Sequence, residues 1–308
     1  MGTIIRIGIA ALGLAALSPV FAAESYIIVD CQTGHVLASQ KQDEKLPVAS
    51  LTKVATAIVV LDWARVNNGD LSTRVEVSSR ALKEGGVNPV GLQPGDQLSL
   101  RDLIYCALLA SDNVAATALA EAVGARLPNS SGLDPIGAFV AHMNALARSL
   151  GMSRTLFLNP SGFDGMEKGA KPFSTAEDLA RLTRYGYNVS GFPFYVAQVD
   201  RQVHIFRNGV EMPVDLRNTN ELLCRDRIDG VKTGRTRRAG DCLILSSGRP
   251  PESRREGEQV FVTPRRIIAV LLRSPDRFGE GAALIQKGWS LYDAWASEGR
   301  NTSKSQSL

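Results

Sequence analysis

Strand-like runs at both ends of the chain and a long helical middle predict an α/β fold of the α+β kind. In it one antiparallel sheet, built from the two termini, is flanked by helices, with an inserted helical lobe and a ligand cleft between lobe and sheet. Three observations predict this. The 308 residues, 44% apolar and 21% charged, are enough for a full core and exclude a disordered, collagen-like or coiled-coil chain. Apolar runs of strand length fall near the N-terminus (26–39) and beyond residue 202. Between Pro47 and about Arg184, Ala and Leu recur at helical intervals.

Taken in order, residues 1–23 (MGTIIRIGIAALGLAALSPVFAA) carry one early cation, Arg6, an apolar stretch and small residues before Ala22 and Ala23, the pattern of a secretory signal peptide. The stretch is too short for a transmembrane anchor and runs directly into a strand. Tyr26 to Cys31 and His35 to Ser39 are spaced as a hairpin. Val48 to Val66, Leu100 to Val123 and Ile136 to Leu150 read as helices, and the helical lobe is expected within about 70–185. Strands return at Gln202 to Phe206, Val231 to Arg235, Asp241 to Ser246 and Val260 to Leu272, before a last helix from about Arg277 to Ala296. Gly248 to Arg266, with paired prolines and clustered arginines, reads as a long exposed hairpin loop, its cations solvated or offered to anionic material. Residues 297–308 are polar and are expected to form a disordered tail, leaving 24–296 as the folded domain.

Charge and cysteine usage narrow the function. Lys plus Arg total 35 against 31 Asp plus Glu; loss of Arg6 with a leader leaves 34 against 31, spread along the chain. No basic stripe interleaved with aromatics calls for a nucleic acid. No C-x-x-C is present, and His35, His142 and His204 lie far apart, so no zinc site of local ligands is expected. Cys31, Cys106, Cys224 and Cys242 sit in apolar neighbourhoods where a free thiol is ordinary, and no disulfide is assigned.

Three short motifs carry chemistry. Ser50-Leu51-Thr52-Lys53 opens a helix, and residues three apart share a face, so the Lys53 amine can reach the Ser50 hydroxyl. A serine is a weak nucleophile unless a base lies within hydrogen-bond reach, and a lysine serves once burial lowers its pKa. Ser111-Asp112-Asn113 falls on a turn between two apolar helices, where the hydroxyl can relay a proton and the carboxamide can hold a substrate amide. Lys232-Thr233-Gly234 leads into a strand whose backbone can meet an oxyanion, with Lys232 and Thr233 attracting a carboxylate. Each alone has a plainer reading: an N-cap with a surface lysine, a polar cap, a loop-to-strand junction. Together they occur once each, in this order, with no histidine triad evident.

On these residues the chain resembles the penicillin-recognising serine acyl enzymes, and among them the low-molecular-mass D-alanyl-D-alanine carboxypeptidases. The likeness extends from about Ala23 to Asp293 through PVASLTK (47–53), LGMSRTLFLNPSGF (150–163), FSTAEDLARL (173–182), NTNELL (218–223) and DGVKTGRTRRAGDC (229–242). It implies a β-lactamase/transpeptidase-like fold without metal or organic cofactor, and with the signal peptide a periplasmic chain without a transmembrane anchor in its mature form is expected. The implied reaction is removal of the terminal D-alanine from peptidoglycan stem pentapeptides, with β-lactams as covalent inhibitors.

By that resemblance Ser50 attacks, Lys53 takes its proton, and the Ser50 and Arg235 N–H groups form the oxyanion hole beside Gly234. Ser111 with Lys232 returns a proton to the leaving group, Asn113 orients the substrate amide, and Thr233 binds the carboxylate, with Arg273 or Arg277 assisting. S-D-N also occurs in class A β-lactamases, and Arg235 stands where carboxypeptidases often place His or Tyr. A β-lactamase is opposed by Thr155, which occupies the place of the deacylating glutamate before Leu158-Asn159. A D,D-endopeptidase stays open, and an inactive β-lactam-sensing or wall-binding module is opposed by the intact motifs.

Overall fold

A computed structural model of the chain describes residues 21–128, 132–164, 171–303 and 306–308. In chain order the elements are β1 (Ser25–Asp30), β2 (Val36–Gln40), a 3-10 turn (Ala49–Thr52), α1 (Lys53–Asn67), β3 (Arg74–Glu76), α2 (Ser79–Gly85), β4 (Gln97–Ser99), α3 (Leu100–Leu108), α4 (Asn113–Gly124) and α5 (Pro135–Ser149). There follow α6 (Ala176–Gly186), α7 (Phe192–Val196), β5 (Asp200–Arg207), β6 (Val210–Arg217), β7 (Ile228–Thr236), β8 (Gly240–Glu256), β9 (Gln259–Ser274) and α8 (Arg277–Ser297).

The two termini meet in an antiparallel five-stranded sheet of order β2-β1-β9-β8-β7, as expected of strands that bracket a helical middle. Its central strands carry unbroken apolar runs, Tyr26–Val29, Cys242–Leu245 and Ile267–Leu272, because both faces are covered there. Ile27, Val29, Ile268, Val270 and Leu272 pack with α1 and α6; Tyr26, Ile28, Ile267, Ala269 and Leu271 alternate onto the other face against Leu284, Ile285, Trp289 and Tyr292 of α8. Each buried Ile, Leu or Val contributes about 1.5–3 kcal/mol, so this double-sided core sets the frame. Helix α1 runs between sheet and lobe with every residue from Lys53 to Leu61 buried, which is why its sequence lacks a polar face.

Three expectations are corrected. The run 202–206 does form a strand, but in a second sheet of order β3-β4-β5-β6 on the helical lobe, where Phe206 pairs with Gln97. Its partner β6 follows a turn at Asn208-Gly209, both at positive φ, the residues such a tight hairpin turn favours. Residues 248–266 are not a loop: β8 and β9 continue out of the sheet as a two-stranded ribbon, paired to Glu256↔Gln259 across Gly257-Glu258. The polar C-terminal segment folds back rather than hanging free. Trp295 Nε1 donates to the Asn301 carbonyl at 2.9 Å, Arg300 pairs with Glu252 at 2.6 Å, and Leu308 N donates to Gly34 O at 3.0 Å.

Of the expected leader 1–23, residues 1–20 lie outside the described residues, while Phe21 packs on Tyr26 and Ala23 N donates to Glu280 Oε1 at 3.1 Å. Among the described residues all four cysteines are free, and Cys224 is exposed rather than apolar in its surroundings, because it turns at positive φ ahead of β7. No helix among the described residues is long and apolar enough to cross a membrane.

Candidate active site

The site is assembled where the 3-10 turn, the α3–α4 junction, the 159–163 turn and the edge strand β7 converge. Ser50 stands in the 3-10 turn and Lys53 is the first residue of α1, so the two are one turn apart, with Lys53 Nζ and Ser50 Oγ 2.9 Å from each other. Lys53 is fully buried. Its amine also donates to Asn113 Oδ1 at 2.6 Å and to the Ser161 carbonyl at 2.9 Å. Burial drives its pKa down to about 7, opposed by the charge of Asp112.

The partner set agrees with a neutral amine. A neutral –NH₂ has two hydrogens and one lone pair, and the site supplies two pure acceptors, the Asn113 and Ser161 oxygens. In that form the lone pair is left for the Ser50 hydroxyl, the one partner that can also donate; in the ammonium form the same hydroxyl accepts the third hydrogen. Asn113 cannot flip without losing a bond, because its Nδ2 donates to Gly85 O at 3.0 Å. Its carboxamide oxygen is therefore turned to Lys53.

Asp112 caps α4, accepting from Ala115 N at 2.8 Å and from Val90 N at 3.1 Å, which fixes the junction that presents its neighbours. Ser111, at φ 60°, is half-buried beside it. The 159–163 turn is held from inside by Asn159: its Oδ1 accepts from Ser161 N at 3.2 Å and Gly162 N at 2.7 Å, and its Nδ2 donates to Phe163 O at 2.9 Å. Thr56 on α1 donates to Pro160 O at 2.6 Å, tying that turn to the helix of Lys53.

The edge strand β7 closes against the 3-10 turn. A Cβ built on Gly234 would lie 2.9 Å from Val48 O and 3.3 Å from Leu51 Cγ, so only glycine allows the approach. Lys232 is buried, its Nζ donates to Thr233 O at 3.2 Å, and its pKa is lowered by burial first and then by the charges of Lys53 and Arg277. The Thr233 hydroxyl lies 2.7 Å from that of Thr219. Arg277 donates to Gly234 O at 3.2 Å and pairs with Asp241 at 3.0 Å. Arg273 instead pairs with Glu24 and donates to Arg238 O. The Arg235 side chain is exposed and reaches Asp241 at 3.4 Å, leaving its backbone on β7.

Ser50, Lys53 and Asn113 are thus in direct contact, while Lys232, Thr233, Gly234 and Arg235 line the strand against the same turn. In the sequence Asn159 stood out only beside Leu158 in the β-lactamase comparison, and the Ser161 carbonyl, Gly85 and Thr219 were not singled out. The turn signature Asn159-Pro160-Ser161-Gly162 was a usable signal for the first two, whereas Gly85 and Thr219 act at distant positions that only folding brings in. Thr155 Oγ1 donates to Asp178 Oδ2 at 2.7 Å, and Asp178 also accepts from Arg154 N, so this carboxylate is spent on the loop.

A family model described as D-alanyl-D-alanine carboxypeptidase matches residues 14–252. The chain is 34% identical over 234 residues to a D-alanyl-D-alanine endopeptidase of Escherichia coli (strain K12), covering 75% of this chain and 68% of that protein. It is 30% identical over 286 residues to the D-alanyl-D-alanine carboxypeptidase DacC of the same organism, covering 90% of this chain but 63% of that one. Among solved structures, the Streptomyces K15 DD-transpeptidase superposes with a TM-score of 0.74 at 24% identity, over 89% of this chain and 99% of its own. Penicillin-Binding Protein D2 from Listeria monocytogenes, in an ampicillin-bound form, superposes with a TM-score of 0.64 at 26% identity, over 87% and 98%.

Proposed function

The chain belongs to the D-alanyl-D-alanine carboxypeptidase family, and from that premise we propose that it is an exported serine hydrolase that removes the terminal D-alanine of peptidoglycan stem pentapeptides through an acyl enzyme on Ser50. The observation that carries the reading is the buried Lys53 amine, its pKa lowered to about 7 by burial, standing 2.9 Å from Ser50 Oγ, where its neutral form can take the hydroxyl proton.

In this reading Ser50 Oγ attacks the carbonyl between the two D-alanines as its proton passes to Lys53. The developing oxyanion is met by the backbone N–H groups of Ser50 and Arg235, where loss of one donor typically costs on the order of 10² to 10³ in rate. By the family resemblance, Ser111 with Lys232 delivers a proton to the departing amine. Thr233, with Thr219 and Arg277 beside it, takes the terminal carboxylate, and Arg277 is favoured over Arg273 because the latter is committed to Glu24. Asn113 acts on Lys53, holding the amine toward Ser50. Water then cleaves the ester, and Thr155, hydrogen-bonded to Asp178, stands at the sequence place of the β-lactamase glutamate. A β-lactam is expected to trap Ser50, as the ampicillin-bound form of the Listeria protein suggests.

The test is incubation with a fluorescent penicillin and, separately, with a stem pentapeptide. Label retained for hours on the tryptic peptide containing Ser50, together with D-alanine release, is the expected result. Rapid turnover of the antibiotic means a β-lactamase, and neither label nor D-alanine release means a binding module.

A second reading, D,D-endopeptidase, is favoured by a groove of about 670 Å³ lined by Thr219, Asn218, Asn220 and three arginines, Arg217, Arg225 and Arg277, against one carboxylate, Glu221. A free D-alanine leaves such a groove empty, whereas the second stem peptide of a cross-link, with carboxylates of its own, fits it. Neither Arg217 nor Arg225 has an ion-pair partner among the described residues. Arg217→Glu with Arg225→Glu should slow cleavage of a cross-linked dimer by about tenfold, with D-alanine release from a pentapeptide changed by less than about twofold. Equal effects on both substrates, or none on either, remove the groove from the reaction.

A further inference from the structure

The β8–β9 ribbon plays no part in the chemistry above, yet its two strands are built differently. Beyond the sheet, β8 no longer pairs with β7 past Ser247, and β9 no longer pairs with β1 past Ile267, so each carries an unpaired outer edge. The β8 edge reads Glu252-Ser253-Arg254-Arg255-Glu256 and is guarded by charge in the usual way. The β9 edge reads Gln259-Val260-Phe261-Val262-Thr263, without a charge or a proline until Pro264. Val260, Phe261 and Val262 are 56%, 44% and 59% exposed, the one run of consecutive residues among the exposed large hydrophobics of the described chain. An uncharged, β-branched and aromatic edge of this kind is a template for another strand.

We infer that the β9 edge Gln259–Thr263 pairs antiparallel with the same edge of a second copy of this chain, forming a two-fold dimer centred on Phe261. The geometry is self-complementary. With Phe261 opposite Phe261, Val260 meets Val262 of the other copy and Gln259 meets Thr263, in both halves alike. Glu258 at the tip of one ribbon then lies opposite Pro264 and next to Arg265 at the base of the other, and the two-fold axis repeats this contact; Arg265 also holds Glu252, while Arg266 and Glu256 stay paired within their own chain with Asp229 and Arg254. Gln259 closes the two-residue turn with Glu256, which directs its backbone groups to β8. Those of Val260 and Val262 therefore face outward to the partner, and Pro264, lacking an N–H, ends the pairing. A bilayer fits less well, because Glu256 and Glu258 form the tip that would enter first and the apolar residues lie along the flank behind it.

The interface is short, so a concentration-dependent dimer is expected. Sedimentation velocity from low to high micromolar loading should show the mass rising from one chain toward two, and Val262→Pro should weaken the association by at least about tenfold. That variant removes an outward N–H, while penicillin labelling of Ser50 verifies the fold. Phe261→Cys in a Cys224→Ser background should form an inter-chain disulfide under mild oxidation, reporting the register independently. A chain monomeric at all loadings, a dimer indifferent to Val262→Pro, or a monomer that instead co-sediments with phosphatidylglycerol vesicles overturns the inference.

Discussion

Lys53→Met should lower the rate of acylation by penicillin on the order of 10³-fold, within the 10² to 10⁴ span of a positioned general base. Methionine fits an apolar, closely packed position, so the fold is retained. The cost is two acceptors, Asn113 Oδ1 and Ser161 O, left without their donor, about 1–3 kcal/mol each at most. Lys53→Arg should not rescue, because a guanidinium stays protonated and has no lone pair to offer Ser50. The pH dependence carries the same signature. With the folded pKa down to about 7, wild-type acylation should rise about tenfold per pH unit below about 7 and level off above it, and this limb should vanish in Lys53→Met.

The sign for stability follows from the same displacement. The unfolded chain holds this proton up to a pKa of 10.5, the folded chain only to about 7. Between those values the unfolded state binds more protons, so stability rises with pH across that window, and below about 7 the group contributes no slope. The denaturant midpoint of wild type minus that of Lys53→Met should rise with pH through that window and be constant below about 7. A wild-type pH–rate profile that stays flat through neutrality would sink the neutral-amine assignment.

Much of this site was legible because its chemistry is local. Ser50 and Lys53 are three apart, and any helical start places them together. The buried character of Lys53 was also written in α1, where the residues from Val54 to Leu61 are Ala, Val, Ile and Leu with the single exception of Thr56. The double-sided sheet was legible for a similar reason, since Ile267 to Leu272 alternates nothing and must be covered twice. Contacts that depend on chain crossings were not legible. Thr219 meets Thr233, and Gly85 fixes Asn113, through packing that no periodicity encodes. The second sheet escaped notice because β3 and β4 are three residues each, too short for a pattern, although Asn208-Gly209 did mark the β5–β6 hairpin. The ribbon was read as a loop on the strength of Pro250-Pro251, yet the register irregularity between Arg249 and Glu252 absorbs the prolines and pairing resumes beyond them.

Gly162→Ala should couple the fold to the chemistry more tightly than any change at the surface. Gly162 has φ +74°, and a Cβ there would stand 1.9 Å from the Ala49 carbonyl oxygen and 2.6 Å from Thr52 Oγ1. The nearest obstacle is backbone, belonging to the 3-10 turn that carries Ser50, so either that turn or the 159–163 turn must move. Strain at a left-handed position costs about 1–2 kcal/mol, and displacing packed backbone should bring the total to about 3 kcal/mol or more, roughly 6–12 °C in Tm for a domain of this size. The displacement also separates the Ser161 carbonyl from Lys53 Nζ, and a misplacement of about 1 Å at a reacting centre costs on the order of 10² in rate. Gly91→Ala isolates the two contributions: Gly91 has nearly the same φ, +75°, but nothing lies within 4 Å of its Cβ position, so it should show the backbone strain alone with acylation intact. If the two variants behave alike in both melting temperature and acylation rate, the contact between Gly162 and the nucleophile's turn is not what holds Lys53 against Ser50.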